Sequence, residues 1–237
     1  MLEKRVITTV EIAKELPRSK KRLYVSLARN PAEIAEAQRL RYKVFSEEMG
    51  AEISGTGGLD IDGFDQFCDH LLVRDSDTHQ VIGTYRILSP QMANEAGGYY
   101  SAGEFDLTRL QHLFGSMVEV GRACVHQDYR NGGTITMLWA GLARYMQTHN
   151  YEYMIGCGSI PMTDGGHSAA SLFKLLKDEY LSPQEYRVFA HNPLPIKSLR
   201  DDLQVACQRS SKATYVLVLI FAAHRHGTHI LILPICW

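Results

Sequence analysis

The chain has 237 residues, 45% hydrophobic and 22% charged, with a formal net charge of -1. That length can bury a sizeable core in one large domain or two small ones. The near-zero charge excludes a global pull toward nucleic acid or anionic membrane, so no nucleic-acid partner is expected. The cysteines at 68, 124, 157, 207 and 236 have neither metal-ligand spacing nor a disulfide framework. No metal is therefore expected, and a reducing, cytoplasmic compartment fits. The start, Met1-Leu-Glu-Lys-Arg-Val, has no apolar run of a signal peptide, and the apolar stretch Tyr215 to Ala223 is too short to span a bilayer.

Residues 1–21 are polar, with a basic cluster at their end, and read as a flexible lead-in. Leu23 to Ala28 is a first strand. Asn30 then caps a helix, with Pro31 at its first position and Glu33 placed for a capping box. Ile34, Ala37, Leu40, Val44 and Phe45 mark its buried face, and Gly50 ends it. Residues 51–69 are a Gly/Asp-rich loop. Leu71 to Arg74 and Val81 to Leu88 form an antiparallel pair. Residues 89–115 are a long irregular excursion, a kind of segment that usually carries function or mobility.

The most informative run follows. The strand Met117 to Val125 enters the turn Tyr129-Arg-Asn-Gly-Gly-Thr134, and a helix pattern starts at once. Ile135, Leu138, Trp139, Leu142, Ala143 and Met146 recur at helical spacing, which assigns Trp139 to the core. A strand turning through glycines into a helix offers backbone N–H groups and the positive end of a dipole, an anion cradle. Arg130 at its lip adds a phosphate ligand. The run is neither a Walker loop nor a Rossmann fingerprint, and glycine pairs before helices are often only turns. A strand from Tyr151 to Gly156 and a helix from about Ser168 to Glu179 complete the order. The alternation suggests one mixed α/β domain with helices on both sheet faces, over 22–199.

Several motifs stand in one order: Arg41-x-x-x-Phe45, Asp62-Gly-Phe-Asp65, Cys68-Asp-His70, Thr84-Tyr-Arg-Ile-Leu88 and Glu104-Phe-Asp-Leu107. Glu119-Val-Gly-Arg122, the stretch from Cys124 to Thr134, and Gly156-Cys-Gly-Ser-Ile-Pro161 follow. Over about residues 22–196 the chain resembles the GNAT acyltransferases. Within them it resembles the branch of ornithine N-acyltransferases of ornithine-lipid synthesis, the hemolysin-like proteins. Acyl-homoserine lactone synthases and N-acyl amino acid synthases are related to that branch.

The resemblance implies an L-ornithine Nα-acyltransferase that moves a 3-hydroxyacyl group from acyl carrier protein to the α-amine, giving lyso-ornithine lipid. No cofactor is bound; the phosphopantetheine thioester of acyl carrier protein is the donor. Ornithine and acyl carrier protein are the implied partners, with peripheral membrane association through the lipid product. Glu119 is then the general base, with Arg122 beside it; a structural Glu119–Arg122 ion pair is the competing arrangement. Backbone N–H groups near Ala123–Val125 would polarise the thioester carbonyl. Arg41, Asp62, Asp65 and Arg86 form the amino-acid wall, Arg41 by pinning the Asp62–Asp65 loop. Cys124, Val125, Arg130, Asn131, Gly132, Gly133 and Thr134 hold the phosphopantetheine. His70 reads as a structural histidine, and Cys124 and Cys157 as small hydrophobes without a paired base. The alternatives are an acyl-homoserine lactone or other N-acyl amino acid synthase, and a non-catalytic acyl-carrier-binding protein.

Past His191-Asn-Pro-Leu-Pro195 the resemblance stops. Residues 200–237 lack the periodicity of a closing strand and read as an aberrant tail. The family closes with a string like K-G-Y-x-R-x-G-A-x-x-C-G-x-P-A-W-D-P-x-F-N-T-A-D-L-L. Codons permitted by Lys212–Trp237, read in a shifted frame, allow G-Y-V-R-A-G-A-Y-I-C-G-x-P-A-W-D-P-H-F-N-T-A-D-L-L. The expectation is a frameshift upstream of about Val205, natural or a sequencing error, that removes the C-terminal strands.

Overall fold

A computed structural model describes residues 22–53, 57–161, 164–201, 214–224 and 227–236. The lead-in 1–21 lies outside the described residues, as does the proposed frameshift point near Val205.

The first strand, β1 (Leu23–Leu27), precedes helix α1 (Pro31–Tyr42), which widens into a π-helical turn over Lys43–Glu48. The cap forms as the sequence dictates: Asn30 Oδ1 accepts the Glu33 N–H at 3.0 Å, and Glu33 reaches back to the Arg29 N–H at 2.8 Å. A loop then leads to the hairpin β2 (Asp69–Asp75) and β3 (Val81–Leu88). The excursion contains a short helix, α2 (Pro90–Glu95), and a two-residue strand, β4 (Phe105–Asp106). Next come β5 (Met117–Val125), α3 (Gly133–His149), β6 (Tyr153–Pro161) and α4 (His167–Tyr180). The chain ends with β7 (Phe189–Ala190), β8 (Thr214–His224) and β9 (Gly227–Cys236).

The main sheet runs β1-β2-β3-β5-β6-β8-β9, and β4 pairs with β7 apart from it. Strand alternation divides the core. Leu71 and Val73 of β2 pack with Leu138 and Leu142 of α3, while Leu72 packs with Ala37, Leu40 and Val44 of α1. The excursion builds a third cluster from Leu88, Phe105, Leu110, Met117 and Ile155. Helices therefore cover both faces of a mixed sheet.

One parallel contact organises the centre. β5 and β6 pair only from Met117↔Tyr153 to Glu119↔Ile155. Beyond that they part, and β6 continues against β8 from Tyr153 to Pro161. At the fork a Cβ on Gly156 would lie 2.6 Å from the Val120 carbonyl oxygen, so only glycine lets the strands approach there.

One expectation needs correction. Trp139 is not core: it is 37% exposed, its ring edge-on to Tyr85, because the buried stripe of α3 runs through Leu138, Leu142, Tyr145 and Met146. Residues 214–224 and 227–236 form β8 and β9, and β6 pairs with β8 from Tyr153 to Pro161. A strand can be continuously apolar in sequence, as Val216 to Ala223 is, so lack of alternation does not exclude one.

Candidate active site

β5 sets the geometry. Thr84 pairs with Cys124 but Arg86 pairs with Gly121, so Arg122 and Ala123 oppose the single residue Tyr85. This is a bulge, and Arg122 occupies the left-handed region at φ 51°. A non-glycine residue held there stores about 1–3 kcal/mol, maintained by its surroundings. Here the Arg122 guanidinium meets Asp62 Oδ2 at 3.1 Å and Asp60 Oδ2 at 3.6 Å.

Three arginines and three aspartates share this region in two layers. In the inner one, Arg41 pairs with Asp60 at 2.8 Å and Asp65 at 2.7 Å, and also donates to the Asp60 carbonyl. Arg41 is 1% exposed. Arg86 bridges outward, 3.2 Å from Asp65 and 2.5 Å from Asp62. Asp62 and Arg122 face the opening. Burial pushes the Asp62 carboxyl up, but the Arg86 guanidinium and its hydrogen bond, with Arg122, outweigh this and hold it below the usual value. For Asp65 burial is likewise overcome, by the hydrogen bond and charge of Arg41 and then by Arg86. Both are anions near neutrality. Arg41 and Asp65 thus brace the wall from behind, as the pinning of the loop by Arg41 anticipates, and the face a ligand would meet is Asp62, Arg86 and Arg122.

Glu119 lies at the fork of β5 and β6, buried. The expected rival, an ion pair with Arg122, is not what it makes. Its Oε2 accepts the Tyr100 N–H at 2.6 Å, and its Oε1 accepts the Ser101 N–H at 2.8 Å and the Ser101 hydroxyl. Burial drives its carboxyl up; the hydrogen bonds of Ser101 and Tyr100 and the charge of Arg86 only partly offset this. A buried carboxylate with a raised pKa suits a general base.

The turn region is partly occupied by its own chain. Arg130 pairs with Glu48 at 2.5 Å and donates to the Val125 carbonyl at 3.0 Å. Asn131 Oδ1 accepts the Gly133 N–H, and the buried Thr134 hydroxyl donates to the Tyr129 carbonyl. Gly132 has φ 87° and open space where a Cβ would stand. Cys124 turns its side chain into the α1 core, leaving only its backbone toward any ligand, and burial pushes its thiol up to about 12. His70 is buried, with Nε2 3.2 Å from the Asp65 carbonyl, a structural role. Among the described residues no cluster could hold a metal, and no helix is long and apolar enough to cross a membrane.

Sequence reasoning missed Asp60, Phe64, Tyr100 and Ser101. Asp60 carried a signal, since it precedes Asp62 by two residues in the same loop. Phe64 lies under Arg86, 5.9 Å from guanidinium carbon to ring centre, with Tyr100 edge-on at 5.7 Å. Tyr100 and Ser101 stand 19 and 18 positions before Glu119, a separation that no local pattern discloses.

Residues 40–140 match the family described as "Acetyltransferase (GNAT) domain". Over those residues the fold is that of a GNAT domain. The L-ornithine N(alpha)-acyltransferase of Rhizobium meliloti is 43% identical over 149 residues, 59% of this chain and 50% of that protein. A probable acyl-homoserine-lactone synthase of Sinorhizobium fredii is 30% identical over 142 residues, 53% of this chain and 65% of that protein. Among solved structures, the AHL synthase LasI aligns with a TM-score of 0.43 at 23% identity, covering 58% of this chain and 72% of that one. The chain spans about half the length of the curated ornithine acyltransferases it matches.

Proposed function

We propose that this GNAT chain is an L-ornithine Nα-acyltransferase that takes a 3-hydroxyacyl group from acyl carrier protein. The observation that carries the reading is the 43% identity to a protein so named, over 149 residues. The geometry supports it. The α-carboxylate of an amino acid suits the Arg86–Arg122 face, and a cationic side chain suits Asp62. Glu119 takes a proton from the α-ammonium, whose nitrogen then attacks the thioester carbon. The carbonyl electron pair moves to oxygen, toward the backbone N–H groups near Ala123–Val125. Collapse expels the pantetheine thiolate, which is protonated, and one proton is released overall. The turn Arg130–Thr134 receives the pantetheine phosphate, for which Arg130 exchanges Glu48. Peripheral membrane association through the lipid product, and a cytoplasmic location, belong to the same proposal.

The test is mass spectrometry of lipids from cells expressing the chain with its reading frame restored. Lyso-ornithine lipid, absent from control cells, is expected; an unchanged lipid profile contradicts the reading. The acyl-homoserine lactone alternative is favoured by the 30% identical relative. It requires S-adenosylmethionine as amine donor, so a competition between the two amines separates them.

We also propose that the sequence from about Val205 onward is out of frame. The support is the agreement, across Lys212–Trp237, between shifted-codon readings and the closing string of the resembling family.

A further inference from the structure

Both carboxylate oxygens of Glu119 are engaged by protein donors, so the group does not itself face the cleft. Among the described residues, the side chain that donates to it is Ser101. The hydroxyl donates to Glu119 Oε1, and Ser101 Oγ lies 3.2 Å from Cys157 Sγ. The serine proton is committed to the carboxylate, so the Cys157 thiol donates to Ser101 Oγ. Ser101 is fully buried, while Cys157 is half-buried on β6, two residues past the last pairing with β5. The row Glu119–Ser101–Cys157 thus runs from the protein interior to the fork between the strands.

We propose that Ser101 is the positioning residue through which Glu119 exchanges protons with the β5–β6 cleft, with Cys157 at the cleft end of the row. An ammonium beside Cys157 gives one proton to Sγ, the thiol proton passes to Ser101 Oγ, and the serine proton passes to Glu119 Oε1. The nitrogen keeps its electron pair. Cys157 and Ser101 end as they began, and Glu119 ends neutral. The reverse passage returns the proton to the departing thiolate. This inference rests on Glu119 being the base.

Among the described residues, the titratable and charged groups around Glu119 include Arg86 from β3, Cys68 from the loop before β2, Tyr99 and Tyr100 from the excursion, and Cys157. Burial pushes the Cys68 thiol up to about 12 and raises the Tyr99 phenol, so between pH 5 and about 9 neither competes for the proton. The Ser101 hydrogen bond favours the charged carboxylate, so its loss raises the pH at which Glu119 ionises.

The experiment compares wild type, Ser101→Ala, Ser101→Thr and Glu119→Gln in ornithine acylation with 3-hydroxyacyl-carrier protein. Each variant is also followed by thermal unfolding. In Ser101→Ala, kcat is expected to fall by about 10- to 100-fold with KM values little changed. The acid limb of its pH profile moves up by about one pH unit, and Ser101→Thr recovers both. If Ser101→Ala does not fold, Ser101→Cys, a near-isostere and weaker donor, is read the same way. Loss of melting temperature with an unmoved acid limb overturns the role of Ser101, even while an inactive Glu119→Gln leaves the base assignment standing. Glu119→Gln within a few-fold of wild type removes the base assignment and this inference together.

Discussion

At the scale of single residues, the two layers of the arginine–aspartate cluster make opposite predictions. Arg41 is 1% exposed and braces Asp60 and Asp65. Arg41→Ala leaves buried carboxylates uncompensated and should cost about 3–5 kcal/mol, read as a lower denaturation midpoint. Arg122 has a side chain 30% exposed at the opening, so Arg122→Ala should leave the midpoint within about 1 kcal/mol while weakening ornithine use at least tenfold. Equal stability losses in both variants would remove the distinction. The pH dependence has a definite sign. Burial raises Glu119, and the base works only when deprotonated. Below its native pKa activity therefore falls, and this acid limb should lie above the ordinary carboxylate value of about 4.3. Asp62 and Asp65 are lowered, so they behave oppositely. Their stabilising contribution is complete above about pH 3.9 and is lost as pH falls through their lower native values. Acid should thus silence activity well before it unfolds the protein, and a coincidence of the two transitions in parallel titrations would contradict this assignment. The residues that hold Glu119 were illegible in sequence because Tyr100 and Ser101 reach it through tertiary approach. Glu119 and Arg122 were legible as candidates because they stand together on a patterned strand, but not their separate partners.

Among the elements, the fork of β5 and β6 and the turn into α3 carry the account. Gly156→Ala would place a Cβ 2.6 Å from the Val120 carbonyl oxygen, which is backbone and cannot swing aside. The strands must separate, so soluble yield and melting temperature should fall, and an unchanged melting temperature would show the fork to be loose. Gly132 is a different case. A side chain there meets open space, so the cost of Gly132→Val comes from φ 87° and from crowding an arriving phosphate. Carrier-protein affinity should fall more than stability, and Gly132→Asn, which tolerates this conformation, should be milder. Unchanged affinity with a lowered melting temperature would make the turn only a turn. The helices and the β2–β3 hairpin were legible from caps and period. The bulge at Arg122 was not, since nothing in Gly121-Arg-Ala123 announces an extra residue; pairing with β3 reveals it. Trp139 misled because its spacing fits one stripe of α3 while the sheet lies against an adjacent one.

For the whole molecule, the sheet order β1-β2-β3-β5-β6-β8-β9 places the antiparallel pair β8 and β9 beyond β6. That pair covers an edge which would otherwise expose unpaired backbone. An apolar run such as Val216 to Ala223 is compatible with a buried strand, whereas a tail read by alternation alone looked structureless. A frame-restored chain would build the same edge from the string the family uses. It should melt higher and give more soluble protein than the chain as written, and equal melting and yield would make the present tail a genuine part of the fold. Domain-level architecture was legible because element order and motif order agreed, while strand pairing in the tail depends on contacts distant in sequence. The central claim, acyl transfer to the α-amine of ornithine, is tested most directly with the purified frame-restored chain, 3-hydroxyacyl-carrier protein and ornithine labelled with 15N at the α-position. Fragment masses should place the acyl group on the labelled nitrogen, with one thiol freed per amide formed. Acyl transfer that requires S-adenosylmethionine, or no amide from a folded chain that binds the carrier, would contradict it.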